Sequence, residues 1–286
     1  MLTAPGAAAP AVDLTPRFHA GSITRYEHVL TLTQTQEIDR FAKATASLRL
    51  ESSLRFEVTR TRPDGSAELQ LIFDRLYADL VRPGMPRVIY DSAAPEPPDA
   101  PPMARTLARV AATPVVYDLD AGGRVIAMFG AREIARLVAG REGADLIAGV
   151  FSEPFFAELA RDLFAPAGEG ADADEAWTSE LAVPLGGLPG AVTTVTWRVE
   201  GVEDGRALIT GVGQTSYTRV EHPLLRGLAQ RVSGETSLFE IRWDLEAGRA
   251  ERIEKARAVK ARFNTGAGEL GSVTLGTYSL LTRRGR

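Results

Sequence analysis

The most informative stretch for the fold is Tyr117-Asp118-Leu119-Asp120-Ala121-Gly122-Gly123-Arg124-Val125. A near copy follows as Trp243-Asp244-Leu245-Glu246-Ala247-Gly248-Arg249-Ala250. Each copy has the pattern of an aromatic-ended strand, a turn of acidic residues and glycine, and the start of a returning strand. This repeat predicts two related β units, residues 18–130 and 177–284, separated by a helical insert over residues 131–176.

Alternation of apolar and polar residues predicts long antiparallel strands in both units. Residues 48–58 show it best, since every second side chain is apolar or small and the intervening ones are mostly charged, as in a strand with one buried face. Residues 194–200 and 239–245 repeat the pattern. Residues 249–263 favour a helix by composition but also fit a period of two. We predict a strand there, because the repeat should carry its topology.

The insert has the spacing of helices. Residues 131–139 carry apolar side chains at helical intervals and stop at Gly140. A second helix is predicted over residues 153–164, with Ser152 as N-cap and Pro154 in the first turn. Residues 165–176 are acidic and glycine-rich, so we expect a loop.

Composition excludes several classes of site. The 286 residues include no cysteine, so there is no disulfide, thiolate nucleophile or cysteine-ligated metal. A net charge of -4 offers no basic footprint for nucleic acid. No apolar run is long enough to span a bilayer.

Residues 1–17 are rich in Ala and Pro and are predicted to be a disordered leader. They lack the pattern of a secretory signal, which leaves a cytoplasmic protein or a start further upstream as alternatives.

No match to a catalytic or cofactor-binding motif stands in the structural context that such a motif requires. Residues 266–271 match G-x-G-x-x-G, but a strand rather than a helix is predicted to follow, so we interpret them as a glycine turn. The three histidines are far apart in sequence. The acidic residues of the two copied stretches are explained by turn formation, since Asp accepts hydrogen bonds from turn backbone. We therefore predict no catalytic residue, no metal, no cofactor and no enzyme.

An aromatic stripe in the insert is the better candidate for function. It packs a helix against a sheet in one interpretation. In the other, a long sheet twists and curls, and a helix laid across it leaves an apolar cavity of the kind that binds small ligands. The candidate ligand-binding residues are Phe151, Phe155, Phe156, Leu159, Leu163, Phe56, Trp197 and Trp243.

The order of motifs resembles an uncharacterised family of exported bacterial proteins. The resemblance rests on Gly21 and Tyr26, a long hairpin, Asp64-Gly65, Tyr90-Asp91-Ser92 and the two copied turns, and it spans roughly residues 18–284. It implies a fold like the lipoprotein-carrier half-barrels, an extracytoplasmic (periplasmic or secreted) location and an apolar ligand. It supplies no catalytic residues, and no signal peptide or lipid-anchor cysteine is visible in this chain.

We therefore predict one α+β domain over residues 18–284, a mostly antiparallel, strongly curved β-sheet with helices packed on its concave face. The leading functional hypothesis is a non-catalytic envelope protein that binds a lipid-like or other apolar molecule between sheet and helices. The alternative is a structural or protein-interaction module with a solid core, whose partner is another envelope protein.

Overall fold

The computed structural model describes residues 12–38, 42–95, 97–141, 144–167, 176–182, 191–217, 229–265 and 268–285. Strands dominate these ranges, and four helices lie between the two groups of strands or within the first. The strands are β1 (Ile23–Ile38), β2 (Ala42–Thr61), β3 (Ala67–Val81), β4 (Val88–Asp91), β5 (Val115–Leu119), β6 (Val125–Phe129), β7 (Trp177–Ala182), β8 (Ala191–Glu203), β9 (Arg206–Tyr217), β10 (Ala229–Asp244), β11 (Arg249–Thr265) and β12 (Gly268–Arg283). The helices are α1 (Pro102–Ala112), α2 (Ala131–Val138), α3 (Ala144–Val150) and α4 (Glu153–Phe164).

All twelve strands join one antiparallel sheet in the order β6-β5-β3-β2-β1-β12-β11-β10-β9-β8-β7, with β4 beside β3. The first and last strands of the chain are neighbours at its centre, where Leu30 pairs with Ser279 and Leu32 with Thr277. Strands β1–β6 therefore form one half of the sheet, and strands β7–β12 form the other half. Strands β6 and β7 end this order, so the sheet is not closed in the described ranges. The broad prediction of an α+β fold with a mostly antiparallel sheet is confirmed.

One face of the sheet carries the core. Along β2 the side chains of Leu48, Leu50, Leu54 and Phe56 are at most 3% exposed, and they alternate with exposed or half-buried ones. The same alternation continues through β1, β3 and the strands of the second half. Residues of α2, α3 and α4 belong to the same apolar cluster as these inward side chains, because a one-faced sheet must bury that face against another layer.

Helix α4 begins and ends where the sequence predicts. The Ser152 side chain accepts a hydrogen bond from the Phe155 backbone N–H at 3.3 Å, as an N-cap does. Pro154 lies in the first turn, where its missing N–H costs nothing. The hydroxyl of buried Tyr117 donates to the backbone oxygen of Phe156 at 3.2 Å and ties the helix to β5.

The turn glycines of the two copied stretches lie against the backbone of other segments. Gly123 has φ of 82°, and a Cβ there would lie 2.2 Å from the backbone oxygen of Phe164 at the end of α4. Gly248 has φ of 58°, and a Cβ there would lie 2.5 Å from the backbone nitrogen of Arg17. Both positions therefore require glycine for two reasons: the positive φ and the backbone atoms that lie too close for a Cβ.

Other predictions differ in outcome. Strand β11 covers residues 249–263, so the choice of strand over helix is confirmed. Helix α3 was not predicted, since its seven residues give too few turns for a helical period to be visible. The predicted loop over residues 165–176 lies mostly outside the described residues, as do the leader up to residue 11 and residues 266 and 267 of the glycine motif. The strand predicted after that motif is confirmed, but it begins at Gly268, so residues 268–271 belong to the strand and not to a glycine turn.

Candidate functional site

A cavity of about 70 Å³ lies between α4 and the core-facing side of β1, β10, β11 and β12. Most of its wall is apolar, and several polar or charged groups converge on it. Its apolar lining consists of Leu30, Leu32, Phe155, Leu159, Leu181, Phe239, Ile253 and Leu281. Its polar lining consists of His28, Glu158, Asp162, Lys255, Arg257, Thr277 and Ser279.

Lys255 is the charged centre of this wall. Alternation along β11 directs Lys255 to the same face as Ile253 and Val259, which is unusual for a lysine. Its Nζ donates to Glu158 Oε1 at 2.6 Å and also to Asp162 Oδ2. The three side chains are only 14%, 19% and 5% exposed, in the order Lys255, Glu158, Asp162. These two buried ion pairs join α4 directly to the sheet.

The pKa of Lys255 follows from two opposed influences. Burial alone would lower it, but the carboxylates of Asp162 and Glu158 outweigh burial and raise the pKa above its ordinary value. Lys255 is therefore an ammonium at neutral pH. Its charge depends on side chains that belong to α4.

Arg257 lies two residues further along the same strand and is 7% exposed. Its Nη1 donates to Thr193 Oγ1 at 2.6 Å, and the Thr193 and Thr215 hydroxyls share a hydrogen bond at 2.8 Å. Thr215 in turn donates through its hydroxyl to Glu235 Oε1 at 2.6 Å. This chain of contacts holds the guanidinium at the cavity from the side of β8, β9 and β10.

His28 separates the cavity from a smaller one. Its Nε2 shares a hydrogen bond of 3.0 Å with Ser279 Oγ, and its ring centre lies 6.3 Å from that of Phe155. Burial, with a smaller effect of the Lys255 charge, lowers the pKa of His28 to about 4. The imidazole is therefore neutral at physiological pH and acts as a polar but uncharged wall.

The second cavity, of about 10 Å³, continues the apolar space toward β2, β3 and α3. His28, Phe155 and Leu159 line both cavities. The two volumes are thus compartments of one layer between helices and sheet, divided by the rings of Phe155 and His28.

The residues predicted from the sequence occupy different places in this layer. Phe155 and Leu159 line the larger cavity, and Phe151 and Phe156 join them around the smaller one. The remaining predicted residues, Leu163, Phe56, Trp197 and Trp243, line neither of these cavities and are at most 2% exposed.

These four residues pack within the core. Phe56 lies edge-on to Phe164, with ring centres 5.7 Å apart, and Trp197 lies 5.8 Å from Phe239. Trp197 therefore contacts a residue of the larger cavity without facing it.

Sequence reasoning missed the charged residues of the site. The acidic pair on α4 was hidden because Glu158 and Asp162 flank the predicted aromatic stripe and resemble the polar side of an amphipathic helix. Lys255 and Arg257 did carry a signal, since they fall on the inward positions of a strand between Ile253 and Val259. Inward charges in a predicted strand indicate a polar site within the core.

Asp120 and Asp244 form turn hydrogen bonds as the sequence predicts, but Asp118 lies in β5 and accepts a hydrogen bond from Arg62 Nη1 at 2.7 Å. Asp120 Oδ1 accepts from the Arg124 backbone N–H at 2.9 Å. Asp244 Oδ1 accepts from the backbone N–H of Glu246 at 3.1 Å and of Ala247 at 2.9 Å. Burial alone would raise the pKa of Asp244, but these hydrogen bonds and the guanidinium of Arg283 lower it. The Oδ1 atoms of both residues therefore stabilise their turns, and Asp244 Oδ2 also accepts a hydrogen bond from Arg283 Nη2 at 2.6 Å.

Two absences concern the described ranges alone. Within them, no group of three or more His, Cys, Asp or Glu side chains is arranged to hold a metal ion. None of the helices described is long and apolar enough to cross a membrane.

Comparisons with known proteins leave the family open. No family model matches the chain, and no curated protein matches it. An outer membrane channel from Pseudomonas putida F1 is 8% identical, with 99% of this chain and 100% of the channel covered at a TM-score of 0.20. OpdQ from Pseudomonas aeruginosa is 7% identical, with 92% and 98% covered at a TM-score of 0.22. At TM-scores this low, these likenesses carry no argument about fold or function.

Proposed function

We propose that this protein binds a lipid-like or other apolar molecule, without catalysis, in the layer between α4 and the sheet. The observation that carries the proposal is the cavity itself, whose wall is mostly apolar and whose polar groups converge from α4, β1, β11 and β12. This combination is typical of small-molecule sites. In this proposal the core-facing side is the concave side of a half-barrel, and the protein works outside the cytoplasm.

The size of the cavity determines how a ligand enters. A volume of about 70 Å³ is below the range of roughly 300–1,000 Å³ that holds typical ligands. The ligand must therefore displace Phe155 or α4. In this proposal α4 is the wall that moves, because it supplies Phe155, Glu158, Leu159 and Asp162 to the cavity. The other lining residues all lie in strands.

Titration with N-phenylnaphthylamine, an uncharged apolar dye that fluoresces when it leaves water, tests the proposal. We expect saturable binding to the folded protein with a stoichiometry near one. The same titration at a temperature just above the unfolding transition is the control, since a specific site is lost with the fold. Absence of saturable binding by the folded protein would overturn the proposed function.

Phe155→Ala should bind the dye more tightly than the wild type. Removal of the ring joins the two cavities and spares the ligand the cost of displacing it, and we expect an affinity gain of about fivefold. Stability should fall, by roughly 1–2 kcal/mol, because Phe155 is only partly buried. Dye titration and urea unfolding measure the two quantities.

Phe164→Ala is the matched control for that variant. Phe164 lies on the same helix and is 3% exposed, but it lines neither cavity. It should lose stability without a gain in dye affinity. An equal affinity for Phe155→Ala and Phe164→Ala would show that Phe155 does not bound the ligand space.

A protein-interaction module is the second candidate, and edge strand β6 favours it. Ile126 and Phe129 are 63% and 64% exposed on this short strand, which ends the order of the sheet in the described ranges. Exposed apolar residues on an unpaired edge suit strand addition by a partner. Failure of the dye to bind, together with loss of partner binding in Ile126→Lys, is the result that this candidate requires.

A further inference from the structure

The cavity separates its charges by structural element. Both carboxylates that line it, Glu158 and Asp162, belong to α4. Both cations that line it, Lys255 and Arg257, belong to β11. The strand residues that line the cavity include no Asp or Glu. The sheet side of the site is therefore cationic, and the carboxylates that pair with Lys255 are carried by the helix.

Movement of α4 would leave the charge of Lys255 uncompensated. Lys255 would lose both hydrogen-bonded carboxylates at once, while Arg257 would keep its contact with Thr193 on β8. A charge that is left unpaired in a largely apolar wall is strongly unfavourable. Burial without the carboxylates would also lower the pKa of Lys255. A ligand that brings its own anion removes this cost, whereas a neutral ligand does not.

We propose that the ligand of this cavity is an apolar acid, a single hydrocarbon chain with an anionic head that replaces Glu158 and Asp162 on Lys255. The inference rests on the proposed function and names the class of its ligand. The chain would occupy the space from Phe239 and Leu281 across Phe155 toward the smaller cavity. The narrowness of both compartments favours one chain over a branched or multiply acylated lipid.

Displacement of N-phenylnaphthylamine by dodecanoate and by 1-dodecanol tests the inference, because the two probes share a chain and differ in the charge of the head. The wild type should bind dodecanoate roughly tenfold more tightly than dodecanol, as expected for a hydrogen bond to a charged group. Lys255→Met should reduce this preference to about one, and Lys255→Arg should retain most of it.

Replacement of the two α4 carboxylates should change dodecanoate affinity in the opposite direction. Glu158→Gln combined with Asp162→Asn removes the groups that compete with the ligand for Lys255, so dodecanoate affinity should rise several-fold while dodecanol affinity changes little. Lys43→Met is the matched control, since Lys43 is 68% exposed and pairs with Glu37 away from the cavity. It should leave both affinities unchanged.

The outcomes separate this inference from the proposed function. Equal binding of the two probes by the wild type, or a preference that survives in Lys255→Met, would overturn the apolar acid and leave an apolar site in place. If dye and both probes fail to bind, the proposed function itself is wrong. If Lys255→Met does not fold, Lys255→Arg and the double carboxylate variant decide, and a double variant without a gain in dodecanoate affinity overturns the inference.

Discussion

Gly123→Ala is expected to destabilise the protein by more than about 3 kcal/mol, one of the largest effects of any single substitution outside the apolar core. An alanine at φ of 82° costs roughly 1–2 kcal/mol by its backbone conformation alone. Its Cβ would also lie 2.2 Å from the backbone oxygen of Phe164. The turn and the end of α4 must then move apart, because the contact is with backbone and not with a flexible side chain.

Gly205→Ala is the matched control for this substitution. Gly205 has φ of 72° in another hairpin turn, and no atom lies within 4 Å of a Cβ there. It should lose only the conformational cost of roughly 1–2 kcal/mol. Urea unfolding of both variants measures the difference, and equal losses would show that α4 does not rest on the Gly123 turn.

Acidification is expected to remove about 3 kcal/mol of stability through His28. Burial lowers the pKa of His28 from 6.5 to about 4, so the unfolded chain takes up a proton that the folded protein does not. The free energy of unfolding should therefore fall as the pH falls from about 7 to about 4, and this contribution should be constant below that range. Each pH unit within it corresponds to about 1.4 kcal/mol.

His28→Gln identifies this contribution, since glutamine keeps a hydrogen-bonding side chain but does not titrate. The difference in unfolding free energy between wild type and variant should shrink by about 3 kcal/mol between pH 7 and pH 4. His19→Gln is the control, because His19 is exposed. A difference that does not depend on pH would show that His28 is not buried as described.

Local pattern predicted much of the fold. The hydroxyl of Ser152 and the apolar period of residues 153–164 were sufficient for α4, and the alternation in residues 48–58 was sufficient for the buried face of β2. Both signals work because they depend on neighbours in sequence. The pairing of β1 with β12 has no local signal, since it joins the two ends of the chain through packing.

The site was harder to predict than the fold. The aromatic stripe led to Phe155 and Leu159, because apolar residues on one side of a helix indicate where it packs. The charges were missed, since a carboxylate such as Asp162 is interpreted as solvated until the strand beneath it is known to carry Lys255. The related β units stay a prediction, although both copied turns place a glycine against another backbone segment.

Mass spectrometry of a lipid extract from the purified, folded protein tests the central claim most directly, because it requires no choice of probe. The proposed function predicts an apolar molecule in an amount close to one per protein, and the further inference predicts that it carries an acidic head. An extract without such a molecule, from protein that also fails to bind N-phenylnaphthylamine, would contradict ligand binding between α4 and the sheet.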